Sequence, residues 1–191
     1  MFDISFVYGR VWTGSKPTIC HLGDLEKKDY FVSREDFDLD VYLPSFGVNL
    51  QREFCWTIEQ QSAFIESIVY RNFRSLPDFA VVADTSSPRK IYRVIDGKQR
   101  LTTIFNWLDN KVPVFVPGFS GTIDECPQEL RRWIGRYPIE AITAYDGRKE
   151  KFEESDLDDI QMIQWFNAIN FAGTPQDASH KEKLQGLLKG G

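Results

Sequence analysis

Ile91-Tyr92-Arg93-Val94-Ile95-Asp96-Gly97-Lys98-Gln99-Arg100-Leu101-Thr102 reads as a strand, a glycine turn and the first turn of a helix, with no linker between them. At such a junction the first helical N–H groups have no intrahelical partner. The helix dipole adds partial positive charge, so the turn is a ready anion site. Gly97 lets a phosphate approach the backbone without a Cβ in the way. Lys98 and Arg100 add charge, and an arginine can grip two phosphate oxygens at once. Asp96, at the strand end, suits Mg²⁺ held through water or an attacking water to be oriented. The plainer reading is that Asp-Gly is simply a common turn and Asp96 a helix cap.

Outward from the turn, the fold class follows. Leu101, Ile104, Phe105 and Leu108 recur at the spacing of an amphipathic helix, which Asn110-Lys111 closes. Upstream, Phe79-Ala80-Val81-Val82-Ala83 is a short buried strand, paired with Ile91 to Ile95 as a hairpin across Ser86-Ser87-Pro88. Thr57 and Gln60 form a capping box ahead of a helix whose apolar face carries Ile58, Ile65, Ile68 and Val69. Its opposite face carries Glu59, Gln60 and Glu66. Further on, the pattern predicts a strand over 112–116, a helix over 127–134 and another opened by Ser155 with Asp158 and running to Ile169. A short last helix carries Leu184, Leu187 and Leu188. Near the start, Phe2 to Val11 suits a strand and Val32 to Phe37 a polar connection. Strands and helices without strict alternation favour an α+β fold, a small mixed sheet with flanking helices.

The bulk properties bound the function. At 191 residues the chain is one domain, here divided into an extension over 1–40 and a core domain over 41–191. A net charge of -5 argues against a constitutive nucleic-acid coat, leaving room only for a local basic groove assembled by the fold. Cys20, Cys55 and Cys126 are scattered, which fits isolated thiols in a reducing compartment, and His21 and His180 stand too far apart in sequence to favour zinc. No apolar run reaches membrane-spanning length, so the expectation is a soluble, cytoplasmic protein.

The turn resembles the Asp-Gly-Gln-Gln-Arg signature of the ParB/sulfiredoxin-like domain family at the N-terminus of GmrSD-type and SspE-type phage-defence proteins. The resemblance runs from about residue 42 to 176. Pro44 is followed by Gln51-Arg52-Glu53-Phe54-Cys55-Trp56, then Gln60-Gln61 and Ile65-Glu66-Ser67-Ile68, then Leu76-Pro77 and the signature itself. Phe166-Asn167-Ala168-Ile169-Asn170 and Gly173-Thr174-Pro175 match the family's closing stretch. Three departures stand out: Lys98 replaces the first Gln of the signature, Ala168 an Arg, and Phe171-Ala172 a small or glycine-containing pair. On this length the helical region and nuclease domain that usually follow are expected to be absent.

The resemblance implies a ParB/sulfiredoxin-like core that binds and hydrolyses a nucleoside triphosphate with Mg²⁺, on or near DNA, in phage or bacterial defence. It puts Asp96, Gly97, Gln99 and Arg100 at the phosphates, with Lys98, Gln51, Arg52, Asn170 and Thr174 as further binding residues. Glu66 joins Asp96 as a metal or water ligand and a catalytic residue. Two rival readings stand beside it. Asp78, Asp96 and Lys98 spell a short Pro-Asp…Asp-x-Lys nuclease pattern, which would use Mg²⁺ to cut or nick DNA. A non-enzymatic binding module or inhibitor of a defence system would instead present Trp12, Trp133 or Trp165 to a partner protein. Gly9 to Lys16 nearly spells a Walker A loop, but Pro17 stands where its helix should begin.

Overall fold

A computed structural model describes residues 12–13, 18–27, 32–70, 79–84, 89–145, 157–171 and 186–187. Its backbone is α+β. The strands, in chain order, are β1 (Trp12–Thr13), β2 (Thr18–His21), β3 (Phe37–Asp38), β4 (Tyr42–Leu43), β5 (Val48–Asn49), β6 (Phe79–Asp84), β7 (Ile91–Asp96), β8 (Val114–Val116), β9 (Phe119–Gly121) and β10 (Pro138–Tyr145). The helices are α1 (Ile58–Tyr70), α2 (Lys98–Leu108), α3 (Gln128–Gly135) and α4 (Asp159–Phe171). The main sheet runs β1-β10-β6-β7-β3, with β2 also paired to β10, and β4-β5 and β8-β9 are separate hairpins.

The predicted hairpin is present: β6 and β7 pair antiparallel, with Val81 opposite Val94 and Ala80 opposite Asp96. The sheet is mixed because β10 lies parallel to β6 and β3 parallel to β7. Helices and loops cover both of its faces. Phe79, Val81, Val94, Ile139 and Ala141 join one core cluster with Ile65 and Ile68 of α1 and Leu101, Ile104 and Trp107 of α2. Ala80, Val82, Ile95 and Ala144 join a second cluster with Met162, Ile163 and Phe166 of α4 and Val41, Leu43 and Leu50. Burial on both sides is why 79–83 is apolar without alternation.

The local chemistry explains the helix ends. Thr57 N–H donates to Gln60 Oε1 (2.9 Å) and Gln60 N–H to Thr57 Oγ1 (3.3 Å), the predicted capping box. At the end of α2, Asn110 takes φ 64. The Lys111 N–H then donates to Asn106 O (2.9 Å) and that of Asn110 to Trp107 O (3.0 Å), a Schellman closure.

Three expectations need correction, and one central strand was not expected. Ile58 is exposed, and Gln61 and Ser62 take the inner face of α1 instead. Gln61 sets that rotation, donating to Trp56 O (3.1 Å) and accepting from Asn106 Nδ2 (2.9 Å). Within Val32 to Phe37, Arg34–Asp36 form a 3₁₀ turn leading into β3, with Val32, Ser33, Asp36 and Phe37 buried and Asp36 held by the Ser33 N–H (2.7 Å) and by Arg89. The box that opens α4 is Asp158 with Gln161, whose backbone amides and side chains bond reciprocally at 2.9 and 2.8 Å. Finally, β10 has no counterpart in the sequence reading. Residues 1–11, Ser86 to Pro88, Ser155, Leu184 and Leu188 lie outside the described residues.

Cys20 lies in the first core cluster, and burial, followed by the charges of Asp24 and Asp36, pushes its thiol up to about 12. Cys55 is exposed. Folded protein at pH 8 should therefore label at Cys55 within minutes and leave Cys20 untouched until denaturant is added. Site-resolved mass spectrometry reads this, and Cys20 labelling without unfolding would contradict the packing. An unfolded thiol ionises near 8.5. Stability should thus fall as pH rises past that value, because the folded thiol stays protonated.

Candidate functional site

β7 delivers Asp96 to the edge of the first core cluster, and Gly97 turns the chain into α2. Gly97 has φ 108 and caps the helix with no side-chain hydrogen bond. A Cβ here would run into Cδ1 of the Phe79 ring and lie 3.1 Å from Cε1. Only glycine suits both the left-handed backbone and this close approach. The turn therefore sits directly on Phe79.

The signature side chains spread from this point to three different supports. Arg100 lies one helical turn beyond Asp96, and its Nη2 donates to Asp96 Oδ2 at 2.8 Å. The guanidinium carbon also stands 5.5 Å from the centroid of the Phe79 ring, a cation–π distance. Gln99 reaches sideways: its Nε2 donates to Glu53 O (3.1 Å) and its Oε1 accepts from the Cys55 N–H (3.0 Å). One amide thus clamps the backbone of the extended segment 53–55 at two points. Gln51, earlier in the same segment, donates to the Val94 carbonyl of β7. Arg52 between them is exposed and makes no ion pair among the described residues.

Lys98 is only 5% exposed, yet its ammonium reaches Asp40 Oδ1 at 2.6 Å, with Glu53 Oε2 at 3.9 Å. Its stem is buried and its head emerges among carboxylates, as long cationic side chains allow. Asp40 sits on a tight turn. Asp38 Oδ1 accepts from the N–H groups of both Asp40 and Val41 at 3.1 Å, and Val41 takes φ 30. Positive φ at a β-branched residue costs on the order of 1–3 kcal/mol, and here burial of the Val41 side chain holds it.

The remaining predicted residues are not gathered at the turn. Glu66 accepts from the Phe115 N–H of β8 at 3.0 Å. α1 runs alongside α2 in the same direction, since Cys55 lies at Gln99 and Gln61 at Asn106. Asn106 is about 13 Å up the helix from Gly97 at 1.5 Å per residue, and Glu66 lies further on. Glu66 and Asp96 therefore occupy opposite ends of the helix pair. Asn170 donates to Phe166 O within α4 (2.8 Å). Asp78 and Thr174 lie outside the described residues. In the Asp-x-Lys pattern, Asp96 turns to Arg100 and Lys98 to Asp40, so the two side chains have separate partners. Trp165 is core, while Trp133 is 42% exposed.

Sequence reasoning missed Asp40, Glu53 and Phe79 as parts of this site. Phe79 carried a signal, standing first in the strand paired with β7. Asp40 carried none, because its partner is 58 residues away.

The model of the N-terminal domain of the GmrSD restriction endonuclease matches residues 38–186 of this chain. The chain belongs to that family. The match takes in the Asp38–Val41 turn, the clamped segment 51–57 and the whole Asp96–Arg100 turn, so every support of the site lies inside the GmrSD N-terminal domain. No curated protein and no solved structure matches the chain. Membership makes this a restriction-type defence protein, related to nuclease systems. Among the described residues no helix is long and apolar enough to cross a membrane.

Proposed function

We propose that this domain binds a nucleoside triphosphate at the N-terminus of α2 and hydrolyses it with Mg²⁺, next to DNA, on a ParB/sulfiredoxin-like core. The observation that supports the reading is the left-handed Gly97 cap. It leaves the first turn of α2 without a side-chain cap, beside Arg100 and within reach of the segment that carries Arg52. Amides without a side-chain cap and a helix dipole favour a phosphate there. Asp96 holds the guanidinium fork of Arg100 against Phe79, so little rotamer freedom is lost when that fork meets phosphate oxygens.

The donor set suits a metal brought in by the nucleotide. Among the described residues no group of three His, Cys, Asp or Glu side chains could hold a resident ion. Mg²⁺ needs only one or two carboxylates besides phosphate oxygens and water. Asp96 stands at this helix end to supply one, and Glu66 stands too far away. When bound, the ion would neutralise charge on the transferred phosphoryl group. The chain's own contribution is positioning: the α2 amides and Arg100 hold the phosphates, and Asp96 orients the attacking water.

Phosphate release from each common ribonucleoside triphosphate with Mg²⁺, beside a plasmid-nicking assay, tests this reading. Turnover of at least one nucleotide is expected, and Asp96→Asn should lower it about a hundredfold or more while retaining binding, as expected for a positioned acid–base group. Nicking lost in Lys98→Ala, without phosphate release, would replace this reading by a nuclease. Silence in both assays, with no nucleotide bound, would leave a binding module.

A further inference from the structure

We infer that the far end of the α1–α2 pair is a docking surface for a single strand of DNA; this rests on the DNA half of the reading above. Three large rings stand exposed there: Phe115 at 56%, Tyr70 at 47% and Trp133 at 42%. They belong to β8, α1 and α3, yet the last turn of α1 ties them together. Glu66 accepts from the Phe115 N–H (3.0 Å), and Tyr70 lies one turn beyond Glu66 on the same helical face. Val69 O, between them, accepts the indole N–H of Trp133 at 2.8 Å. That bond fixes the indole while leaving much of it in solvent.

The charge beside the rings selects the partner. Most arginines with described side chains are matched: Arg34 to Asp109, Arg89 to Asp36, Arg93 to Asp84, Arg100 to Asp96 and Arg131 to Glu26. Arg132 on α3 and Arg136 at its C-terminal cap, to either side of Trp133 in the chain, are exposed and enter no ion pair among the described residues, and Glu129 on the same helix does not pair with them. In a chain of net charge -5, unmatched guanidinium groups beside exposed rings complement a polyanion that also carries stackable faces. Aromatic platforms with flanking cations bind single strands in this way, the rings taking bases and the arginines phosphates. A protein partner would favour the same rings, but it would not require two unmatched cations. The surface lies at the opposite end of α2 from Gly97, so nucleotide and strand would not compete for one site.

Fluorescence anisotropy of a labelled oligo-dT strand tests the inference on the full chain. The double variant Arg132→Glu/Arg136→Glu should bind at least tenfold more weakly, with the slope of log K against log salt shallower by roughly 1.4, the value for two phosphate contacts on a single strand. Phe115→Ser should weaken binding several-fold without changing the slope, since it removes stacking and no charge. Nucleotide binding should be unchanged in both variants. If nucleotide binding fails in the parent protein while strand binding behaves as described, only the nucleotide reading falls. Wild-type affinity in both variants, or no strand binding by the parent, overturns the surface. So does sedimentation as a dimer that Phe115→Ser dissociates, since the rings would then cover a second copy.

Discussion

Gly97→Ala should destabilise the domain by about 2–5 kcal/mol, the sum of a left-handed backbone penalty and overpacking of a filled site. Both terms have a visible source. Gly97 holds φ 108, and its missing Cβ would collide with the Phe79 ring. Phe79 cannot easily retreat: it is 2% exposed and packs in the first core cluster, with Ala141 of β10 opposite it in the ladder. Urea unfolding should show a lower midpoint at unchanged m, since the unfolded chain is hardly altered. Phe79→Leu in the alanine background should recover part of the loss by relieving the clash, and none of the backbone part. A loss under about 0.5 kcal/mol, within the range of an ordinary surface change, would show that the turn relaxes freely.

The legibility of this chain divides along the range of the interactions. α2 was readable because its apolar spacing, its Gly97 start and its Asn110 stop all lie within a few residues of each other. The β6–β7 hairpin and the Thr57 capping box are local for the same reason. β10 was not readable, although its parity is regular: Ile139 and Ala141 face one cluster, Ile142 and Ala144 the other. It opens on a proline, carries two small alanines and is interrupted by Glu140 and Thr143, so its apolar signal is weak. Only its place between β1 and β6 makes it a central strand. Ile58 and the 32–37 turn failed for a different reason. Each is decided by a polar side chain with a distant partner, Gln61 with Asn106 and Asp36 with Arg89.

The candidate site shows the same division. That the Asp96–Arg100 turn would be a glycine-capped helix start follows from adjacent residues. Where its side chains would point does not. Gln99 serves as a clamp on 53–55, and Lys98 meets Asp40, because segments 40 to 60 residues upstream return to the turn. Spacing along the chain put Glu66 on a polar helical face, and the fold then used that carboxylate to hold β8.

Arg100→Ala should weaken nucleotide binding by roughly 10- to 150-fold, the equivalent of about 1.5–3 kcal/mol for a hydrogen bond to a charged group. Asp96 and Phe79 already hold the guanidinium in place, so truncation removes a pre-set fork rather than a mobile charge. Arg100→Lys should recover little, because an ammonium neither pairs bidentately nor lies flat on the Phe79 ring. Asp40→Asn should move affinity the other way. It releases the Lys98 ammonium from the carboxylate 2.6 Å away and removes a negative charge from the approach to α2. Asp40 is mostly exposed, so the gain should be several-fold and shrink as salt rises. Calorimetric titration of the same nucleotide into the three variants separates these effects. Equal affinities throughout would place the phosphates elsewhere. A loss in Arg100→Ala with no gain in Asp40→Asn would keep the phosphates at the Gly97 turn and remove Lys98 from their recognition.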